Sequence, residues 1–172
     1  PRDLREIVEI DTGDGVAVNF LGDPEDALFV AMNLSKAFAS APEGEPQVEV
    51  RTGINLGPVR LVRDINGQPN IIGDGINVAE RVMSFARPGQ VLVSRSYFEV
   101  VTRISEDYAK LFAYQGSRTD KHVREHEIYE VASAGGEACD LATRRHRARP
   151  AGRPALVDLA ESTQAVPAAP GK

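Results

Sequence analysis

Asp74-Gly75-Ile76-Asn77-Val78-Ala79-Glu80-Arg81-Val82-Met83-Ser84-Phe85 is the stretch on which the reading of this chain turns. Gly73 precedes it and Arg87-Pro88-Gly89 follows it, so the punctuation predicts a helix over 74–85. Asn77 and Arg81 are four apart and share one face. Ala79, Val82, Met83 and Ala86 fall on roughly the opposite face, which marks the side to be buried. The Arg fork of donors suits a phosphate, and the neighbouring amide suits a sugar hydroxyl. The same spacing also describes an ordinary exposed face, on which Arg81 pairs with a nearby acid.

Working outward, strands and helices alternate. Arg5 to Ile10 alternates apolar and polar residues, and Val16 to Phe20 follows after Thr12-Gly13-Asp14-Gly15. This pattern predicts a hairpin with an aspartate at its tip. Pro24 to Ala39 reads as a helix, with Glu25 and Asp26 at its positive end. Its apolar stripe would be Ala27, Leu28, Ala31, Leu34 and Phe38. The Pro42–Pro46 loop ends it, and strands at Val48–Asn55 and Val59–Val62 flank Gly57-Pro58. Asn66-Gly67 marks a turn. After the central helix come a short strand at Val91–Val93 and a helix capped by Ser94. Two last strands are expected around Leu111–Gln115 and Val123–Val131. The sum is an α/β or α+β sandwich with helices on a mainly antiparallel sheet.

Composition narrows the function. The chain has 172 residues, enough for one domain with a real core, and a net charge of −5. That balance gives no broad basic face for duplex DNA. No apolar run approaches the roughly 20 residues that span a bilayer, and no signal-peptide pattern is seen, so a cytoplasmic location is expected. Cys139 stands alone, which excludes an intrachain disulfide or a multi-thiolate zinc site. Composition changes near residue 132, dividing a body over 1–131 from an Ala/Pro/Gly/Arg-rich stretch over 132–172. The six bases and four acids of that stretch leave 14 bases and 21 acids in the body. Having few aromatic or β-branched residues, 132–172 is expected to be a disordered tail or linker.

Other candidates each carry a plainer alternative. Asp14, on a glycine-flanked turn, suits a metal carrying phosphates, or is a turn aspartate chosen for backbone tolerance. Gly53-Ile54-Asn55-Leu56-Gly57-Pro58 and Gly73-Asp74-Gly75 lack the P-loop pattern and are read as sites of tight turns and close packing. His122 and His126 would share a face of the last strand, without a third zinc ligand. Arg144-Arg145-His146-Arg147-Ala148-Arg149 could touch RNA or an anionic membrane, but lacks aromatics and reads as a solvated linker.

Together these segments resemble the class III adenylate/guanylate (nucleotidyl) cyclase catalytic domain. Thr12-Gly13-Asp14-Gly15-Val16-Ala17-Val18-Asn19-Phe20 resembles its metal-binding hairpin. Gly53-Ile54-Asn55-Leu56-Gly57-Pro58-Val59 is similar to its GIHxGPV strand pair. Ile72 to Arg81 is similar to its GxxVNxAxR helix, and Pro88-Gly89-Gln90-Val91-Leu92-Val93-Ser94 to its PGQIxxS strand. The four segments keep family order over about residues 5–131.

The resemblance implies a ferredoxin-like α/β sandwich and a phosphorus–oxygen lyase that turns ATP, with GTP second, into 3′,5′-cyclic nucleotide and pyrophosphate. It implies two Mg2+ or Mn2+ ions per site. Asp14 matches one of two metal aspartates. Asn77 matches the residue that orients the ribose, and Arg81 the one that stabilises charge on the α-phosphate. Lys121 falls near a family phosphate-binding lysine. The base-reading slots hold Ile10 and Asn70 in place of the adenylate-type lysine and aspartate, and Ile10 cannot hydrogen-bond. Family sites form between subunits, so a homodimer is expected, with neither nucleic acid nor membrane as partner. The second metal aspartate would lie upstream of the hairpin, but only thirteen residues precede Asp14 and Asp3 lacks the family context. The expectation is therefore an N-terminally truncated domain missing its first strand and helices, impaired as it stands. The alternative is a catalytically silent, cyclase-like module for dimerisation or nucleotide sensing.

Overall fold

The computed structural model describes residues 7–39, 48 and 50–132. The Pro42–Pro46 loop, Cys139, the arginine-rich run and nearly all of the expected tail lie outside the described residues.

A four-stranded sheet organises the molecule, in the order β3 (Thr52–Ile54), β6 (Val91–Ser94), β8 (Glu125–Val131), β7 (Phe112–Thr119). The β3–β6 pair is parallel, with Thr52 opposite Val91; β6–β8 and β8–β7 are antiparallel. Because side chains alternate across a strand, β6 serves two cores at once. Val91 and Val93 enter one cluster with Tyr97, Val101, Tyr108 and Leu111. Leu92 enters the other, with Ile128, Val82 and Ala86. The helix α2 (Asp74–Ser84) covers that second face, and α1 (Glu25–Ala39), α3 (Arg95–Ile104) and α4 (Glu106–Ala109) cover the first. This is the expected α+β sandwich. Two hairpins stand apart from the main sheet: β1 (Ile7–Asp11) with β2 (Val16–Phe20), and β4 (Arg60–Arg63) with β5 (Pro69–Ile72).

Specific contacts tie the layers. Ser94 caps α3 by accepting the Tyr97 N–H at 3.3 Å, as its sequence position predicts. The buried Tyr97 hydroxyl donates to Pro24 O at 2.6 Å, joining α3 to the start of α1, and burial pushes its pKa up. Phe29 packs edge-to-face on Tyr108, ring centres 5.9 Å apart.

Three local expectations are corrected. The buried face of α1 is Glu25, Leu28, Phe29, Ala31 and Met32, whereas Leu34 and Phe38 are exposed. The helix docks through its first two turns, while Leu34 and Phe38 in its second half line an open cleft with Val50, Thr52 and Val91. The hairpin after Asn66-Gly67 contains a strand, β5, which begins at Pro69 on an edge that needs no N–H there. The last strand starts at Glu125, not Val123, because Asp120 gathers the backbone of residues 122–124 into a turn and Val123 adopts φ 61°. His122 is therefore in the turn and His126 in β8, so the two share no strand face. Among the described residues, no group of three or more His, Cys, Asp or Glu could hold a metal, and no helix is long and apolar enough to cross a membrane.

Candidate active site

The site begins with how closely α2 is seated. A Cβ on Gly53 would meet the α2 backbone at Met83 N and, 2.5 Å away, at Ala79 O, so only glycine lets β3 and α2 approach this far. At the other end of the helix, Gly73 has φ 153° and lies against Pro58 O, where a Cβ would stand only 2.7 Å away. Asn55 then locks the first turn: its Nδ2 donates to Gly75 O at 2.9 Å, while its Oδ1 accepts from Ser94 Oγ at 2.7 Å and Ser96 Oγ at 3.0 Å. The glycine-rich segments thus do the close packing expected of them.

Seated this way, α2 turns Val82 into the core and leaves Asn77 exposed. Arg81, on the Asn77 face, is largely sequestered at 20% exposure. The turn between β7 and β8 runs alongside this face. Arg124 reaches Asp74 at 3.8 Å, both being well exposed, and Asp120 Oδ2 lies 3.1 Å from Arg81 Nη1. Lys121 is exposed in the same turn, next to Asp120. The structure therefore brings Asn77, Arg81 and the segment bearing Lys121 together.

Asp120 is the hub of the cluster, at 3% exposure. Its Oδ1 accepts the N–H groups of His122 at 2.8 Å and Arg124 at 3.0 Å. His126 Nε2 stands 3.1 Å from Oδ2, and an ionised carboxylate only accepts, so the imidazole carries its proton there. Burial would raise the Asp120 pKa, but the hydrogen bonds from Arg124, His126 and His122, with the Arg81 charge, hold it well below the usual carboxylate range. Arg81 Nη1 is within ion-pair distance, yet its N–H groups miss an aligned acceptor. It remains a buried donor with unused capacity.

The other candidates lie on the hairpins. Asp14 is exposed at the tip of β1–β2. In the same turn, Gly13 N donates to Asp11 Oδ1 at 2.8 Å, which commits that oxygen. The half-buried Ile10 pairs with Ala17. The strand β1 lies beside β5, which carries Asn70. Asn70 is half-buried and its Oδ1 accepts the Ile71 N–H at 2.8 Å, leaving its amide NH2 as a donor. Sequence reasoning missed Asp120, and raised His126 only as a zinc partner of His122 and not as the partner of Asp120. Aspartate opening a polar turn was a signal for the turn, but nothing in the spacing links residue 120 to residue 81.

A family model described as the adenylate and guanylate cyclase catalytic domain matches residues 23–124. The chain belongs to this family. The matched span contains Asn77, Arg81 and Asp120, while the β1–β2 hairpin with Ile10 and Asp14 precedes it. The cyclase-family chain is 39% identical over 93 residues to a Rhizobium meliloti (strain 1021) protein named "Putative adenylate cyclase 3". The aligned part covers 52% of the chain and 15% of that relative's length. Its fold is similar to that of adenylate cyclases from Trypanosoma brucei in their monomeric state, with TM-score 0.63 and 20% identity, over 76% of this chain and 73% of that one. An adenylate/guanylate cyclase/hydrolase from Silicibacter pomeroyi gives TM-score 0.54 and 28% identity, over 74% and 72%.

Proposed function

We propose that this cyclase-family domain converts ATP, with GTP as second choice, to a 3′,5′-cyclic nucleotide and pyrophosphate at a site shared between two copies of the chain. One observation carries the reading: Arg81 is held on the Asn77 face of α2 with a buried guanidinium nitrogen that no acceptor satisfies. A donor in that state suits charge that appears only as the reaction proceeds.

The residues present fit a divalent cation only in part. Asp14 offers one solvent-facing carboxylate, and among the described residues no larger acidic or imidazole group is assembled. Mg2+ takes one or two carboxylates plus substrate phosphates, so Asp14 fits as one ligand of a Mg2+ or Mn2+ delivered with the nucleotide. Such a cation supplies polarisation of phosphate oxygens and a lowered pKa for the ribose 3′-hydroxyl. The chain's own groups do the rest. Asn77 orients the ribose with its exposed amide. Arg81 donates to the α-phosphate as negative charge grows on its oxygens. Lys121 approaches the phosphates from the neighbouring turn, and the Asn70 NH2 donates to a base edge beside the apolar Ile10 wall. Asp14 stands at the tip of the β1–β2 hairpin, apart from the four-stranded sheet, and Arg81 stands on α2, which packs on that sheet; this placement supports a site completed head-to-tail by a second copy. The name of the Rhizobium meliloti relative supports ATP.

Mixing the protein with Mn2+ and ATP or GTP and seeking cyclic product by mass spectrometry tests the proposal. No product from either nucleotide would refute it. The silent-module reading draws on the single carboxylate at Asp14 and the apolar Ile10, and would then stand.

A further inference from the structure

We propose that Asp120 is a positioning residue for catalysis, holding the Arg81 guanidinium from within the same chain while His126 braces the same carboxylate oxygen. The proposal rests on the reading of Arg81 given above and names the group on which that arginine depends.

The molecule contains its own control. Asp64 builds a turn by the same device as Asp120, its Oδ1 accepting the N–H groups of Asn66 and Gln68, both at 2.8 Å. Asp120 Oδ1 does the same for His122 and Arg124. Turn formation therefore uses one oxygen. At Asp120 the second oxygen lies 3.1 Å from both Arg81 Nη1 and His126 Nε2.

Burial gives this contact a weight that surface pairs lack. Arg95–Glu99 and Arg124–Asp74 are exposed and water competes for them, whereas Asp120 is 3% and His126 12% exposed. An arginine on a flexible stem loses rotamer freedom when it is placed, and a sequestered carboxylate at its tip supplies the constraint. The contact holds Arg81 without consuming it, since Nη1 keeps unaligned N–H groups. His126 limits the rotation of the carboxylate, and its own ring stands near Phe85, centres 6.2 Å apart. The cluster thus couples the β7–β8 turn to the guanidinium on the α2 face that would meet the phosphate.

Asp120→Asn keeps an oxygen for the turn and removes the charge, and Asp64→Asn makes the same change at the control turn. Displacement of a positioned group by about 1 Å can cost about 100-fold, so D120N should lower kcat by about 10- to 100-fold with KM changed less than about threefold. D64N should leave kcat unchanged. In an Arg81→Ala background D120N should add less than about twofold, because the group it positions is gone. Nitrogen-15 NMR of the arginine side chains gives a readout independent of turnover: the Arg81 guanidinium protons should be slowed in the wild type and D64N, and averaged in D120N. Unchanged Arg81 resonances in D120N would overturn the proposal, whether or not the protein turns over. A D120N loss that persists fully without Arg81 would overturn it too. Wild-type activity that survives Arg81→Ala would instead overturn the parent reading, and with it a catalytic purpose for Asp120.

Discussion

Replacing Gly53 by alanine should loosen the helix that carries the candidate site. The new Cβ would meet backbone atoms of α2 at Met83 N and Ala79 O, and backbone cannot rotate away. Opening the 2.5 Å approach to Ala79 O to ordinary van der Waals contact requires α2 and β3 to part by roughly 1 Å. Overpacking of this kind typically costs about 1–3 kcal/mol. It would also loosen the Val82–Leu92–Ile128 contacts, which are nearly or fully buried. Urea denaturation followed by circular dichroism should show a lower midpoint and an unchanged slope. The displacement carries Asn77 and Arg81 with it, so cyclase activity should fall by about 100-fold even where the variant is fully folded. Gly15→Ala is the control: its Cβ would touch only Thr12 Oγ1, at 3.4 Å, and its stability should change by less than about 0.5 kcal/mol. A G53A protein as stable and as active as G15A would refute the claim that glycine is required for this approach.

Two further outcomes follow from named contacts. Asn55→Ala removes the clamp on Gly75 O and the acceptor shared by Ser94 and Ser96, and should cost about 1–3 kcal/mol in thermal or urea unfolding, since Ser94 is buried. The Asp120 carboxyl is depressed in the folded protein, so its contribution to stability is complete above the unfolded value of about 3.9 and is lost as pH falls toward the lower folded value. Urea midpoints measured from about pH 5 down to about pH 2.5 should therefore fall more steeply for the wild type than for D120N.

The helix over 74–84 and the first hairpin were legible because their periods are local: 3.6 residues for one, two for the other, each bounded by glycine or proline. The same reasoning chose too broad a stripe on α1. Leu34 and Phe38 fit the period but lie beyond the part of the helix that meets the core, and burial is a property of the partner as well as the pattern. The strand β5 escaped because Pro69-Asn70-Ile71-Ile72 has neither alternation nor length. The strand β7 runs past its expected end because an irregularity between Tyr114 and Ser117, with Gly116 at φ 90°, carries the ladder past a break in the apolar pattern. Within the candidate site, Asn77 and Arg81 were visible as an i, i+4 pair. The acid that meets Arg81 comes from a turn 39 residues away, and only sheet order and helix docking bring it there.

The most direct test of a catalytic role for Arg81 compares cyclic nucleotide formation by the wild-type protein and Arg81→Ala, under Mn2+ with ATP or GTP. Cyclic product and pyrophosphate are expected in equal amounts from the wild type, with a kcat at least about 10²–10³-fold lower in the variant, the loss typical of one transition-state donor. Equal rates in the two proteins, or no product from the wild type with either nucleotide, would contradict it.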